Sequence, residues 1–249
     1  MILELDCGNS FIKWRVLAGP DEVLVSGVDE SLGAALESIA GRGLILTACR
    51  LVSVRSDLET RALELELAGQ LHVPVLIARS AECLAGVSNG YTEPLRLGLD
   101  RWLALVAAFH MSQAACLVLD LGTAVTADFV SQEGHHLGGF ICPGFALMRT
   151  QLKTHTRRIR YEQDEVVGVL REPGKNTADA VERGCMHMIR SFAEGQVLLA
   201  RELLGQNFQL FLTGGDAGYI ADQFDQARVV PDLVFRGLAL ACPVGNGDS

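Results

Sequence analysis

Asp6-Cys7-Gly8-Asn9-Ser10 and Asp120-Leu121-Gly122-Thr123 are two copies of one short pattern, 114 positions apart. Each follows an apolar run that reads as a buried strand, Met1 to Leu5 in the first case and Ala115 to Leu119 in the second. A strand ending in aspartate, then glycine, then a small hydroxyl or amide residue leaves backbone N–H groups free for phosphate oxygens, with a carboxylate beside them to hold a cation. A tight hairpin needs similar residues, so one copy decides little. Two copies in a chain of 249 residues point to a duplicated unit, and to two related halves facing a nucleotide across a cleft.

The patterning around each copy carries this outward. In the first half strands are expected over 1–6, 11–17 and 22–28, then a helix over 31–40, a strand over 43–48, a helix over 52–70 and a strand over 75–78. Within 11–17, Ile12, Trp14 and Val16 fall on one face and Lys13 and Arg15 on the other. A loop-rich stretch from 81 to 100 leads into an apolar helix ending near 113. The second half restarts with strands over 115–119, 125–130 and 137–141, followed by a helix over 145–154. A long helix over 177–204 then stacks Val181, Cys185, Met188 and Phe192 on one face, and a strand over 209–213 and helices over 217–223 and 235–241 complete the chain. Three strands and then alternating helix and strand is a ribonuclease-H-like layout. The expected fold is therefore α/β: two ribonuclease-H-like domains, 1–114 and 115–249, with mixed sheets flanked by helices and a cleft between them.

With 49% hydrophobic and 20% charged residues the chain can bury a sizeable core. Its net charge of -9 disfavours nucleic acid and anionic membrane as partners, so an anionic ligand must be met locally by Arg, Lys, backbone amides or metal. Glu4 and Asp6 interrupt the first apolar stretch before it could form a signal core, and no run approaches a membrane span. The seven cysteines are widely spaced among apolar neighbours and read as reduced thiols of a cytoplasmic protein. No cysteine or histidine spacing suggests a structural zinc site. His135 and His136 read as a solvated turn.

Five groups of residues carry candidate chemistry. Asp6, Gly8, Asn9 and Ser10 form the first phosphate loop, with Asp6 placed to hold Mg2+ and Lys13 as a counter-charge. Asp120, Gly122, Thr123, Thr126 and Asp128 form the second, with Asp120 also facing a cation. Gly138, Gly139, Pro143 and Gly144 would let the backbone approach something closely, and Gly214 and Gly215 after a strand could floor an adenosine; a plain corner or turn is the alternative in each case. Asp100, in Gly98-Leu99-Asp100-Arg101, is the candidate reactive centre. It could be a helix N-cap, or it could orient an acceptor hydroxyl and take its proton late in a loose phosphoryl-transfer transition state. Arg101 could grip a substrate carboxylate through its planar fork.

Taken in order, Asp6-Cys7-Gly8-Asn9-Ser10 with Lys13, Gly98 to Arg101, Asp120 to Ala124, Gly138 to Gly144, and Gly214-Gly215-Asp216 resemble the type III pantothenate kinases of the acetate and sugar kinase, Hsp70 and actin superfamily. The resemblance covers nearly the whole chain. It implies transfer of the ATP γ-phosphate to the primary hydroxyl of pantothenate, the first step of coenzyme A synthesis. It also implies that Asp6, Cys7, Gly8, Asn9, Ser10, Phe11, Ile12 and Lys13 bind ATP, together with Thr123. On the same grounds Asp100 is the proton acceptor, Tyr91, Gly98, Leu99, Asp100 and Arg101 line the pantothenate pocket, and Asp120 binds a monovalent cation, K+ or NH4+. The family is dimeric with its active site at the interface, where Thr177 of one protomer would reach the other's substrate and Gly184 would permit close helix approach. A sugar or small-acid kinase of the same superfamily, or a non-catalytic nucleotide-binding regulator, are the other readings.

Overall fold

A computed structural model of the protein describes residues 1–19, 22–161 and 172–244. The chain forms two compact units, one joining Met1–His110 to the segment from Asp232 onward, the other Met111–Pro231. Where the sequence suggested one boundary after residue 114, the last helix returns to the first unit.

The first unit is built on β1 (Ile2–Cys7), β2 (Ile12–Leu17), β3 (Val23–Asp29), α1 (Leu32–Ala40), β4 (Ala48–Ser53), α2 (Asp57–Leu71) and β5 (Val75–Ile77). Its sheet runs β3-β2-β1-β4-β5, antiparallel across the first three strands and parallel from β1 to β5. A short hairpin of β6 (Cys83–Leu84) and β7 (Val87–Ser88) precedes α3 (Leu99–Ser112). The second unit has β8 (Cys116–Leu121), β9 (Ala124–Val130), β10 (His136–Pro143), α4 (Phe145–His155), α5 (Thr177–Leu204), β11 (Gln209–Thr213) and β12 (Arg228–Val229). Its sheet runs β10-β9-β8-β11-β12 with the same pattern of directions. Two sheets wound identically are what a duplicated ribonuclease-H-like unit requires, and the side chains agree. Leu3, Leu5 and Cys7 enter the first core beside α1 and α2, and Leu117, Leu119 and Leu121 enter the second beside α4 and α5. Asp6 and Asp120 therefore point to the opposite, non-core face of their sheets, because alternate residues of a strand face opposite ways.

That opposite face of the first sheet holds an ion cluster. Glu4 is fully buried and sits across from Arg15 on β2 and Arg50 on β4. It accepts from Arg15 Nε at 2.5 Å and Arg50 Nη1 at 2.6 Å, and Arg15 Nη1 reaches Asp232 at 2.8 Å. Two cations against two anions leave the cluster neutral, which is how three charged strand residues tolerate burial. Asp232 immediately precedes α6 (Leu233–Ala241), and the Arg15 guanidinium also covers the Phe235 ring at 4.8 Å, so the cluster ties the last helix to the first sheet.

This cluster explains a displaced strand. The apolar run 43–48 was expected to pair, but Ile45 is 78% exposed and the strand is Ala48–Ser53, with Arg50 at its middle. An arginine argues against a central strand unless a neighbour neutralises it, and Glu4 does so. The helix expected from residue 52 starts at Asp57, after the capping box of Ser56 and Glu59. In α5, whose ends match expectation, Met188 is 63% exposed while Met186 and Ile189 are buried. The helix is thus rotated from the expected stripe toward Val181, Cys185, Ile189 and Ala193. His136 is buried in β10, its Nε2 3.0 Å from Asp128, rather than solvated; His135 alone faces outward. The segment after β11 forms two single turns, Ala217–Tyr219 and Ala221–Gln223, where one helix was expected.

Candidate active site

The first loop joins β1 to β2. Its ends are tied by Gly8 N–H donating to the Phe11 carbonyl at 3.0 Å, and the Cys7 carbonyl accepts from Val54 N at 3.2 Å. Cys7 and Ile12 are wholly buried, so they can meet a ligand only through their main chain, whereas Asn9, Ser10, Phe11 and Lys13 are exposed. The N–H groups of Asn9 and Ser10 donate to no described residue. Unpaired amides in a tight loop are what a phosphate needs.

Asp6 and Lys13 face each other across the β1–β2 ladder. Burial raises the pKa of Asp6 to about 6; Lys13 opposes the rise and the charge of Asp100 adds to it. The structure thereby brings Asp6 and Asp100, 94 positions apart in sequence, within electrostatic reach. Like charges held together in a partly dry site call for a cation. Among the described residues no group of three or more His, Cys, Asp and Glu side chains forms a metal cluster. Mg2+, however, commonly takes one or two carboxylates with the remainder from phosphates and water, and Asp6 fits that donor set.

Asp100 is the second residue of α3, inside the first turn rather than at the cap, and its Oδ1 accepts the Arg101 N–H at 2.8 Å. A Cβ on Gly98 would stand 2.9 Å from that same oxygen, so glycine there leaves the carboxylate its space. Arg101 is 94% buried and donates from Nη1 to the Tyr91 hydroxyl at 2.7 Å, with its guanidinium 5.6 Å from the ring centre. Tyr91, Gly98, Leu99, Asp100 and Arg101 are thus gathered at one end of α3.

The second loop joins β8 to β9, with Gly122 N–H donating to Ala124 O at 3.1 Å. Leu121 O accepts from Asp216 N at 2.9 Å, the counterpart of the Val54 bond to Cys7, and Thr123 O accepts from Gly144 N at 3.0 Å. The N–H of Thr123, like that of Asn9, donates to no described residue. Asp120 lies between Thr126 on β9 and Thr213 on β11, so three oxygen-bearing side chains share one row. Asp128, by contrast, is consumed by His136. The glycines buttress this loop: a Cβ on Gly144 would strike Gly122 O, and one on Gly214, whose φ is +88°, would strike Leu121 O and the Asp120 carboxylate. The close approach foreseen for them is thus to the protein's own loop, while a Cβ on Gly215 meets nothing within 4 Å. Thr177 is the first, exposed residue of α5; the cap is Asn176, which accepts from Asp179 N at 2.7 Å.

Two features escaped the sequence reading. The ion cluster of Glu4, Arg15, Arg50 and Asp232 pairs residues from three strands and the position just before a helix, and no local pattern links them. Arg55 beside the first loop was hidden by starting a helix at residue 52; the capping box Ser56-x-x-Glu59 was the available signal that 54–55 is loop.

Residues 2–198 match the family model for type III pantothenate kinase. The chain is 56% identical over 247 residues to the type III pantothenate kinases of Ectopseudomonas mendocina and Pseudomonas aeruginosa, spanning 98% of this chain and 100% of each relative. It is 54% identical over 249 residues to that of Azotobacter vinelandii, covering 98% and 99%. Among solved structures, a Campylobacter jejuni protein described as a Baf family transcriptional activator superposes with a TM-score of 0.60 at 22% identity, over 95% of this chain and 94% of that one. A Sinorhizobium meliloti protein described as a 2-dehydro-3-deoxygalactonokinase gives 0.55 at 13% identity, over 97% and 98%. These two likenesses bear on the fold, and the full-length relatives bear on the family: the chain belongs to the type III pantothenate kinases.

Proposed function

We propose that the protein transfers the γ-phosphate of ATP to the primary hydroxyl of pantothenate, giving 4'-phosphopantothenate, the first step of coenzyme A synthesis. The observation that carries this reading is Asp100 held within electrostatic reach of Asp6, beside a loop with unpaired amides, in a member of this family. Asp100 orients the acceptor hydroxyl and takes its proton as the new bond forms, since a carboxylate is too weak a base to remove it in advance. Arg101, steadied by Tyr91, binds the pantothenate carboxylate, with Gly98 and Leu99 shaping the pocket. The loop from Asp6 to Lys13 and Thr123 bind ATP, and Gly214 and Gly215 lie under the adenosine. Asp6 would hold Mg2+, which when bound neutralises phosphate charge; Asp120, with Thr126 and Thr213 alongside, would hold K+ or NH4+. Positioning and charge neutralisation supply most of the rate.

The protein acts as a homodimer in the cytoplasm, with Thr177 of each protomer reaching the partner's substrate. Supporting this, Thr177, Gly184, His187, Met188 and Ser191 leave an exposed strip along α5, beside a groove of about 940 Å3. The net charge of -9 argues against nucleic acid and anionic membrane as partners. Coupled measurement of ADP release with and without pantothenate, and with K+ exchanged for Na+, tests the proposal. ADP release indifferent to pantothenate would overturn it.

A further inference from the structure

We infer that Arg55 is a positioning residue for ATP: its guanidinium fixes the Gly8–Asn9 peptide so that the Asn9 N–H faces the phosphates. Arg55 Nε donates to the Gly8 carbonyl at 3.0 Å. In a trans peptide the carbonyl and the following N–H point in opposite directions. Drawing Gly8 O toward Arg55 therefore turns the Asn9 N–H away from it, and that N–H donates to no described residue. The second loop makes a useful contrast. Its Leu121 and Thr123 carbonyls are both held by main-chain donors, Asp216 N and Gly144 N. In the first loop the main chain supplies the Val54 N bond to Cys7 O, while the Arg55 side chain holds Gly8 O, one position before Asn9, the counterpart of Thr123.

Arg55 is itself well placed. It follows β4 and precedes α2; its own N–H is received by Ser53 Oγ at 3.3 Å, and that oxygen also accepts from Thr60 Oγ1 at 2.8 Å. The side chain is half-buried and forms no ion pair among the described residues, although its charge also acts on the nearby Glu59 carboxylate. In a chain of net charge -9, a cation 3.0 Å from the loop that receives a polyanion adds attraction as well as orientation.

The inference rests on reading the first loop as the ATP cradle. Its test is equilibrium binding of Mg-ATP to the full-length protein, alongside the KM for pantothenate and the melting temperature without ligand. Arg55→Met keeps the apolar stem and removes the donor. It is expected to weaken ATP binding about tenfold or more, with the pantothenate KM within about twofold and the ligand-free melting temperature within about 3 °C. Arg55→Lys, which retains a cation without the planar fork, is expected to fall between Met and wild type. Unchanged ATP affinity in the Met variant overturns the inference. Equal weakening of both substrates with a lowered melting temperature also overturns it, because that marks a merely structural role. Should the Met variant not fold, the Lys variant decides: weaker ATP at an unaltered pantothenate KM sustains the inference, and wild-type ATP affinity overturns it. Wild-type protein that binds no ATP is a distinct result, removing the loop reading itself.

Discussion

Asp6 and Asp100 show how one residue's chemistry depends on where another is brought. Asp6 has its pKa raised to about 6, first by burial and then by Asp100. Because the folded value lies above the unfolded one, the folded state binds the extra proton between about pH 4 and 6. The contribution of this group is full below pH 4 and is lost as pH rises through 6. Asp6→Asn is therefore expected to stabilise the ligand-free protein at pH 7 by something of the order of 1–3 kcal/mol while abolishing turnover. In urea unfolding the gain should shrink as pH falls toward 4; a gain independent of pH would refute the assignment. Asp100→Asn keeps the size and the acceptor for the Arg101 N–H but loses the proton acceptor. We expect kcat to fall by about 10²–10⁴-fold with an unchanged melting temperature, and an Asn variant with near wild-type kcat would remove Asp100 from the mechanism.

At the scale of elements, the second loop depends on what lies beneath it. Gly214→Ala places a methyl group against Leu121 O and the Asp120 carboxylate at a positive φ, and should cost about 1–3 kcal/mol, read as a lower urea midpoint. Gly215→Ala meets nothing within 4 Å, so its stability should be that of wild type. If Gly215 floors the adenosine, its ATP KM should nonetheless rise severalfold, and a change in neither quantity would remove it from the site. In the first sheet, Glu4→Gln leaves Arg15 and Arg50 buried without their shared carboxylate and should cost about 3–5 kcal/mol, measured by urea unfolding. A loss under 1 kcal/mol would mean that water reaches the cluster. β4 was misplaced in the sequence reading for the same reason: Arg50 looks foreign to a central strand until Glu4 is seen opposite it.

For the whole molecule, the proposed dimer makes a quantitative prediction. Asp100→Asn and Thr177→Arg should each inactivate alone, the second by blocking the partner's site. Refolded together, their heterodimers hold one doubly defective and one intact site, so about a quarter of wild-type activity should return. No recovery would place Thr177 and Asp100 in the same protomer's site. The mixing experiment reads assembly directly, which neither variant alone can do.

The amino-acid sequence by itself determined the duplication, the ribonuclease-H-like strand order and the two glycine loops that end β1 and β8, because these rest on local signals: apolar period, glycine placement and an aspartate at a strand end repeated 114 positions on. α5 and β11 match expectation to the residue for the same reason. Tertiary structure alone decided the return of α6 to the first unit, the burial of Glu4, Arg15 and Arg50 as one neutral cluster, the pairing of His136 with Asp128 and the Arg55 clamp on Gly8. Each of these joins groups from separate elements. Whether a charge is a solvated surface group or a buried fastener depends on the partner that folding sets against it, and no window of neighbouring residues contains that partner.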